Sequence, residues 1–113
     1  LDLFWGADTM ITKIQVARLD DIDRLGSRTV FVEGKEVAIF RLSDGSVHAI
    51  ENRCPHKGGK LSEGMVCGAA VHCPLHDWKI NLRSGRVQEP DHGEVTVYEI
   101  EVDEATGAIY ISL

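Results

Sequence analysis

Apolar residues in this chain recur in short runs with a period near two: Ile14 and Val16; Val30 and Val32, with Phe31 on the opposite face; Val37 and Ile39; Val47 and Ile50; Val95 and Val97; Ile109 and Ile111. Alternation over four to seven residues predicts strands with one buried face. Turn residues separate the runs at Gly34-Lys35, Ser43-Asp44-Gly45, Ser84-Gly85 and Thr106-Gly107, a spacing typical of antiparallel sandwiches and barrels. Only Leu19 to Leu25 (LDDIDRL) invites a short helical turn. The fold class expected is all-β, with antiparallel, sandwich- or barrel-like sheets.

A length of 113 residues with 43% hydrophobic content suits one domain with a single modest core. Residues 11–113 are assigned to that domain, and residues 1–10 (LDLFWGADTM) to an N-terminal extension, disordered or left by expression, with no functional role. Twelve Lys and Arg against eighteen Asp and Glu give a formal net charge of −6, which repels phosphate backbones and argues against nucleic acid or anionic lipid as partner. No apolar run is long enough to span a bilayer, and the first thirty positions lack a secretory pattern. A soluble, cytoplasmic protein is therefore expected. The charge is uneven: from residue 87 onward there are acidic residues (Glu89, Asp91, Glu94, Glu99, Glu101, Asp103, Glu104) and no Lys or Arg, whereas residues 54–86 carry Lys57, Lys60, Lys79, Arg83 and Arg86 against Glu63 and Asp77. Charge runs of this kind are ordinarily solvated faces; as functional groups, Lys57 and Lys60 are the expected contacts to an acidic partner.

The candidate chemistry lies in this basic stretch. Cys54, Cys67 and Cys73 fall in a twenty-residue window with His56, His72 and His76, an odd, clustered set that fits a metal site better than a disulfide framework. Cys54-Pro55-His56-Lys57-Gly58-Gly59 and Cys73-Pro74-Leu75-His76-Asp77-Trp78 read as C-x-H and C-x2-H. Each half offers one thiolate and one imidazole. A mononuclear zinc site more often pairs like ligands in one knuckle, whereas one of each per loop suits two adjacent irons, with both cysteines on one and both histidines on the other. Pro55 and Pro74 stiffen each loop just after its cysteine, and Gly58 and Gly59 permit positive φ and close backbone approach.

On this spacing the chain resembles the Rieske [2Fe–2S] family over most of its length. Within that family the runs CPHKGG, LSEG, CPLHDWKI and VQEPD resemble small subunits of assimilatory NAD(P)H-dependent nitrite reductase. The resemblance implies a Rieske fold with a two-loop cluster subdomain (about 54–59 and 73–78) and one [2Fe–2S] cluster. It also implies ligation of the inner iron by Cys54 and Cys73 and of the outer iron by His56 and His76. It further implies an oxidoreductase whose nitrite-reducing centre resides on a large partner subunit carrying FAD, a [4Fe–4S] cluster and sirohaem. High-potential Rieske proteins add a cysteine to each loop and cross-link them, where this chain has Gly59 and Leu75. They also carry Ser and Tyr hydroxyls where this chain has Trp78 and Ile80. Fewer hydrogen bonds to sulfur imply a potential in the lower part of the family range, about −150 mV.

Two rivals share these residues: a free Rieske ferredoxin serving a ring-hydroxylating dioxygenase, and a non-redox module holding one zinc ion through the same four ligands. Of the remaining residues, Cys67 is expected as a partly buried structural thiol, and Trp78 as a side chain packing the second loop onto the scaffold. His48, His72 and His92 are expected as strand or surface histidines outside the ligand set.

Overall fold

In the computed structural model, which describes residues 13–55, 58–75, 78–89 and 91–112, the period-two runs become strands. These are β1 (Lys13–Arg18), β2 (Ser27–Val32), β3 (Lys35–Arg41), β4 (Val47–Glu51), β5 (Met65–Cys67), β6 (Ala70–His72), β7 (Lys79–Asn81), β8 (Val97–Asp103) and β9 (Ala108–Ser112). All pairings are antiparallel. Six strands form one sheet in the order β1-β9-β8-β4-β3-β2, and β5-β6-β7 form a second, smaller one. LDDIDRL supplies a single 3-10 turn at Leu19–Asp21. No helix among the described residues is long and apolar enough to cross a membrane.

Every strand of the large sheet contributes to one apolar cluster, from Ile14 and Val16 on β1 through Val32, Val37, Ile39 and Ala49 to Ile100 and Ile111. One sheet can enclose a shared interior in this way only by curling on itself, so it is nearly a closed barrel. The tightest link is the β2–β3 hairpin, where Val32 pairs with Lys35. Its two central residues, Glu33 and Gly34, have φ of 50° and 80°, the primed turn that matches strand twist. The turn thus lies one residue earlier than Gly34-Lys35, and Lys35 opens β3.

The alternation is incomplete where it predicts one buried face for β3. Val37, Ala38, Ile39 and Phe40 are all buried: Val37 and Ile39 face the barrel interior, while Ala38 and Phe40 face a second core. That second core joins Ile50 of β4 to Leu61, Val66, Val71, Ile80 and Leu82, and it contains Cys54 and Cys73. The small sheet is therefore held against the outside of β3 and β4.

Val95 and Val97 do not share a strand. The chain passes from the second core to the large sheet between them, with Glu51 N–H donating to the Thr96 carbonyl at 2.9 Å and Thr96 N–H to Glu51 Oε1 at 3.2 Å. Val95 is buried in the second core, Val97 opens β8 exposed, and the interior face of β8 is Tyr98, Ile100 and Val102. The opposite face carries Glu99, Glu101 and Asp103, of which Glu101 pairs with Lys13 of β1.

Candidate metal centre

The first candidate loop leaves β4 through Asn52, a polar residue only 4% exposed. Its Oδ1 accepts the Ser62 N–H at 2.8 Å. Its Nδ2 donates to Glu36 Oε2 at 2.8 Å and Ser62 Oγ at 3.0 Å, and its own N–H donates to the Glu36 carbonyl at 3.1 Å. A buried amide with these bonds made fixes the direction in which the loop departs. Lys60, at the far end of the loop, donates to both Glu36 oxygens at 2.6 and 2.7 Å, and this bond holds the Glu36 carboxyl below its ordinary pKa. Both ends of the loop are thereby tied to β3.

The two loops close in the same manner. Cys54 N–H donates to the Gly59 carbonyl at 2.8 Å, and Cys73 N–H donates to the Trp78 carbonyl at 2.7 Å. Each loop is cinched at its neck by the amide of its cysteine. Gly58, at φ 74°, turns the first loop back so that its N–H reaches the Cys54 carbonyl at 2.9 Å. The second loop is the connection of the β6–β7 hairpin, with His72 opposite Lys79 at its base.

The loops lie against each other. A Cβ built on Gly59 would stand 3.2 Å from Cys73 Sγ and 3.1 Å from Leu75 Cδ1, so a side chain there would force these neighbours to give by a few tenths of an ångström. Pro55 meets a third segment, since a Cβ on Gly93 would stand 3.3 Å from its Cγ. Cys54 and Cys73 are 1% and 2% exposed, and neither is in a disulfide. Burial raises the pKa of the Cys73 thiol and its Cys54 neighbour raises it too, while the Leu75 N–H, 3.4 Å from Cys73 Sγ, opposes the shift. Two neighbouring buried thiols, with a backbone donor aimed at one sulfur, are a donor set that a metal would draw into the thiolate form. They fit the two-cysteine half of an iron–sulfur site.

Of the predicted ligands, the structure brings Cys54 and Cys73 together; His56 and His76 lie outside the described residues, as do Lys57 and residues 1–10. Trp78 packs partly buried on the second core, as expected. His48 sits in β4 beside Ser46 Oγ at 3.3 Å, with its pKa lowered chiefly by burial. His72 is half-buried in β6 and His92 is exposed.

One expectation is corrected. Cys67 is exposed, because in β5 only Val66 faces the core. Lys60, half-exposed, is already paired with Glu36 within the chain. Asn52 and Glu36 were not foreseen: nothing in the run Glu51-Asn52-Arg53 signals a bond to Ser62, ten residues on.

The family model of the Rieske [2Fe-2S] domain matches residues 12–99, a span containing both loops. The chain belongs to the Rieske family. Its cofactor is a Rieske-type [2Fe–2S] cluster. The ferredoxin component of the naphthalene 1,2-dioxygenase/salicylate 5-hydroxylase systems of Ralstonia sp is 30% identical over 91 residues, covering 80% of this chain and 86% of that protein. Among solved structures, the ferredoxin of carbazole 1,9a-dioxygenase from Nocardioides aromaticivorans IC177 superposes with a TM-score of 0.80 at 31% identity, covering 88% of this Rieske chain and 96% of that one. A structure described as a putative NADH-dependent nitrite reductase small subunit from Mycobacterium tuberculosis superposes with a TM-score of 0.83 at 28% identity, covering 91% and 96%. This Rieske domain thus has relatives among both oxidoreductase small subunits and dioxygenase ferredoxins.

Proposed function

We propose that this Rieske domain, residues 11–113, serves as the small subunit of a cytoplasmic, assimilatory NAD(P)H nitrite reductase and takes part in electron transfer there. Cys54 and Cys73 would hold the inner iron and His56 and His76 the outer. The observation that carries the ligand assignment is the pair of matched loops, each closed by the amide of its own cysteine, whose buried thiols are neighbours. The nitrite reductase reading is supported by the CPHKGG, CPLHDWKI and VQEPD runs and by the likeness to the Mycobacterium tuberculosis structure over 91% of the chain.

When bound, the cluster supplies one-electron transfer. The chain's own part is to hold the loops in nearly one geometry in both redox states, through Asn52, the two necks and the prolines, which keeps reorganisation small. Reduction of nitrite to ammonium is a multi-electron reaction that needs an open metal position, so its centre is assigned to a large partner carrying FAD, a [4Fe–4S] cluster and sirohaem.

The second reading, a free ferredoxin delivering electrons to a ring-hydroxylating dioxygenase, is favoured by the 30% and 31% identities to dioxygenase ferredoxins. One experiment separates the two. The tagged protein is purified anaerobically from its host, reduced with dithionite and measured by EPR with iron counted, while co-purifying chains are identified. A rhombic Rieske signal with a stoichiometric large subunit and NAD(P)H-dependent nitrite consumption supports the first reading. The same signal on a free small protein that reduces a dioxygenase oxygenase component supports the second. Zinc without an EPR signal removes both.

A further inference from the structure

Arg53 stands between buried Asn52 and buried Cys54, and its own side chain is exposed. It does not extend freely into solvent. A Cβ built on Gly58 would stand 3.5 Å from Arg53 Nε, 3.8 Å from Nη2 and 3.9 Å from Cζ, ordinary contact distances, so the guanidinium lies beside the backbone of the first loop at Gly58. Gly58 turns the loop with its φ of 74°, and the Arg53 cation rests beside that turn.

Among the described residues no carboxylate forms an ion pair with Arg53. Arg53 lines a groove with two acids: Glu36 is paired with Lys60, and Glu51 accepts the Thr96 N–H and makes no ion pair with Arg53. Arg53 thus keeps a permanent positive charge on the loop that carries Cys54.

We propose that Arg53 is a potential-setting residue, whose unpaired charge on the first loop stabilises the reduced cluster over the oxidised one. The inference rests on the assignment of Cys54 as a ligand. Reduction by one electron, supplied by an electrode, adds one negative charge beside the loop and requires no proton. A fixed cation on the loop that carries Cys54 favours the reduced state by Coulomb attraction. Because Arg53 is itself exposed, part of its influence remains open to screening by salt.

The test is protein-film voltammetry on the cluster-loaded full chain and on Arg53→Lys, Arg53→Gln and Arg53→Glu. Iron content, visible spectrum and EPR are recorded for each. The expected order of potentials is Arg and Lys highest, Gln lower and Glu lowest, with the spread narrowing as potassium chloride is raised from about 0.05 M to about 1 M. Equal potentials in Arg53, Gln and Glu proteins would overturn the proposal. So would equal shifts in the Lys and Gln variants, which would assign the effect to packing on Gly58. Loss of iron from Gln and Glu alike would make Arg53 a structural clamp and also overturn it. Absence of a Rieske signal in the unmodified protein is a different result, and overturns the cluster-ligand assignment itself.

Discussion

Leu75 occupies the space into which a side chain on Gly59 would project, with its Cδ1 3.1 Å from the position a Cβ would take. The two loops of the Rieske site are therefore pressed together by a non-covalent contact, at the pair of positions where high-potential members of the family carry a disulfide. Gly59→Ala is expected to destabilise the protein by about 1–3 kcal/mol through overpacking. Leu75 is partly exposed and can yield, but the buried Cys73 sulfur at 3.2 Å cannot. Chemical denaturation of Gly59→Ala and of Gly59→Ala/Leu75→Ala checks this: the second substitution should recover part of the loss and not all of it.

The thiols differ in access. Cys54 and Cys73 are buried and Cys67 is exposed, so a thiol reagent added to the folded, cluster-loaded protein should modify Cys67 alone. Cys73→Ser should abolish the visible absorption of the cluster, and Cys67→Ser should leave it unchanged. Colour lost in the Cys67 variant would show that the wrong sulfurs had been assigned.

Asn52→Ala should cost about 2–4 kcal/mol, because it removes several bonds at once and leaves the Ser62 N–H without its acceptor in a buried site. Cluster retention in the variant should fall with stability, since Asn52 sets the take-off of the first loop. Thermal unfolding monitored at the cluster absorption and in the far ultraviolet reports both effects.

The Lys60 bond holds the Glu36 carboxyl below its ordinary value of 4.5. A carboxyl whose folded pKa is depressed stabilises the fold above its unfolded pKa, and this contribution is lost as pH falls through the folded one. Stability measured downward from about pH 5 should therefore decline less steeply in Glu36→Gln than in the unmodified protein. Parallel curves would show that the ion pair is electrostatically silent.

A low reduction potential is expected from what surrounds the second loop. The positions that carry hydroxyls in high-potential members hold Trp78, packed on the second core, and Ile80, fully buried within it. Neither side chain offers an O–H to a cluster sulfur. Voltammetry should place the potential near −150 mV, and a value above about +100 mV would refute this account.

Much of the architecture was legible in the chain because its signals are local. Strand alternation and glycine turns lie within windows of a few residues, and they were enough to mark β1, β2, β3, β4 and β9 of the barrel. The strands of the small sheet are three residues each, too short for a period of two to register. Val95 and Val97 misled because the chain passes at Thr96 from the second core into β8, which reassigns which parity faces inward. Burial on both faces of β3, the tie between Asn52 and Ser62, and the capture of Lys60 by Glu36 depend on partners distant in sequence, and no pattern within one run reveals them.

The position of β3 and β4 has a consequence for how the molecule fails. Val37, Ile39 and Ala49 support the barrel from one side of these strands, while Ala38, Phe40 and Ile50 support the cluster loops from the other. With no linker between the halves, neither can melt and leave the other with a finished wall. The iron site and the barrel should therefore lose structure as one cooperative unit. A lesion deep in the barrel, far from any cysteine, would then bleach the protein at the temperature at which it unfolds it.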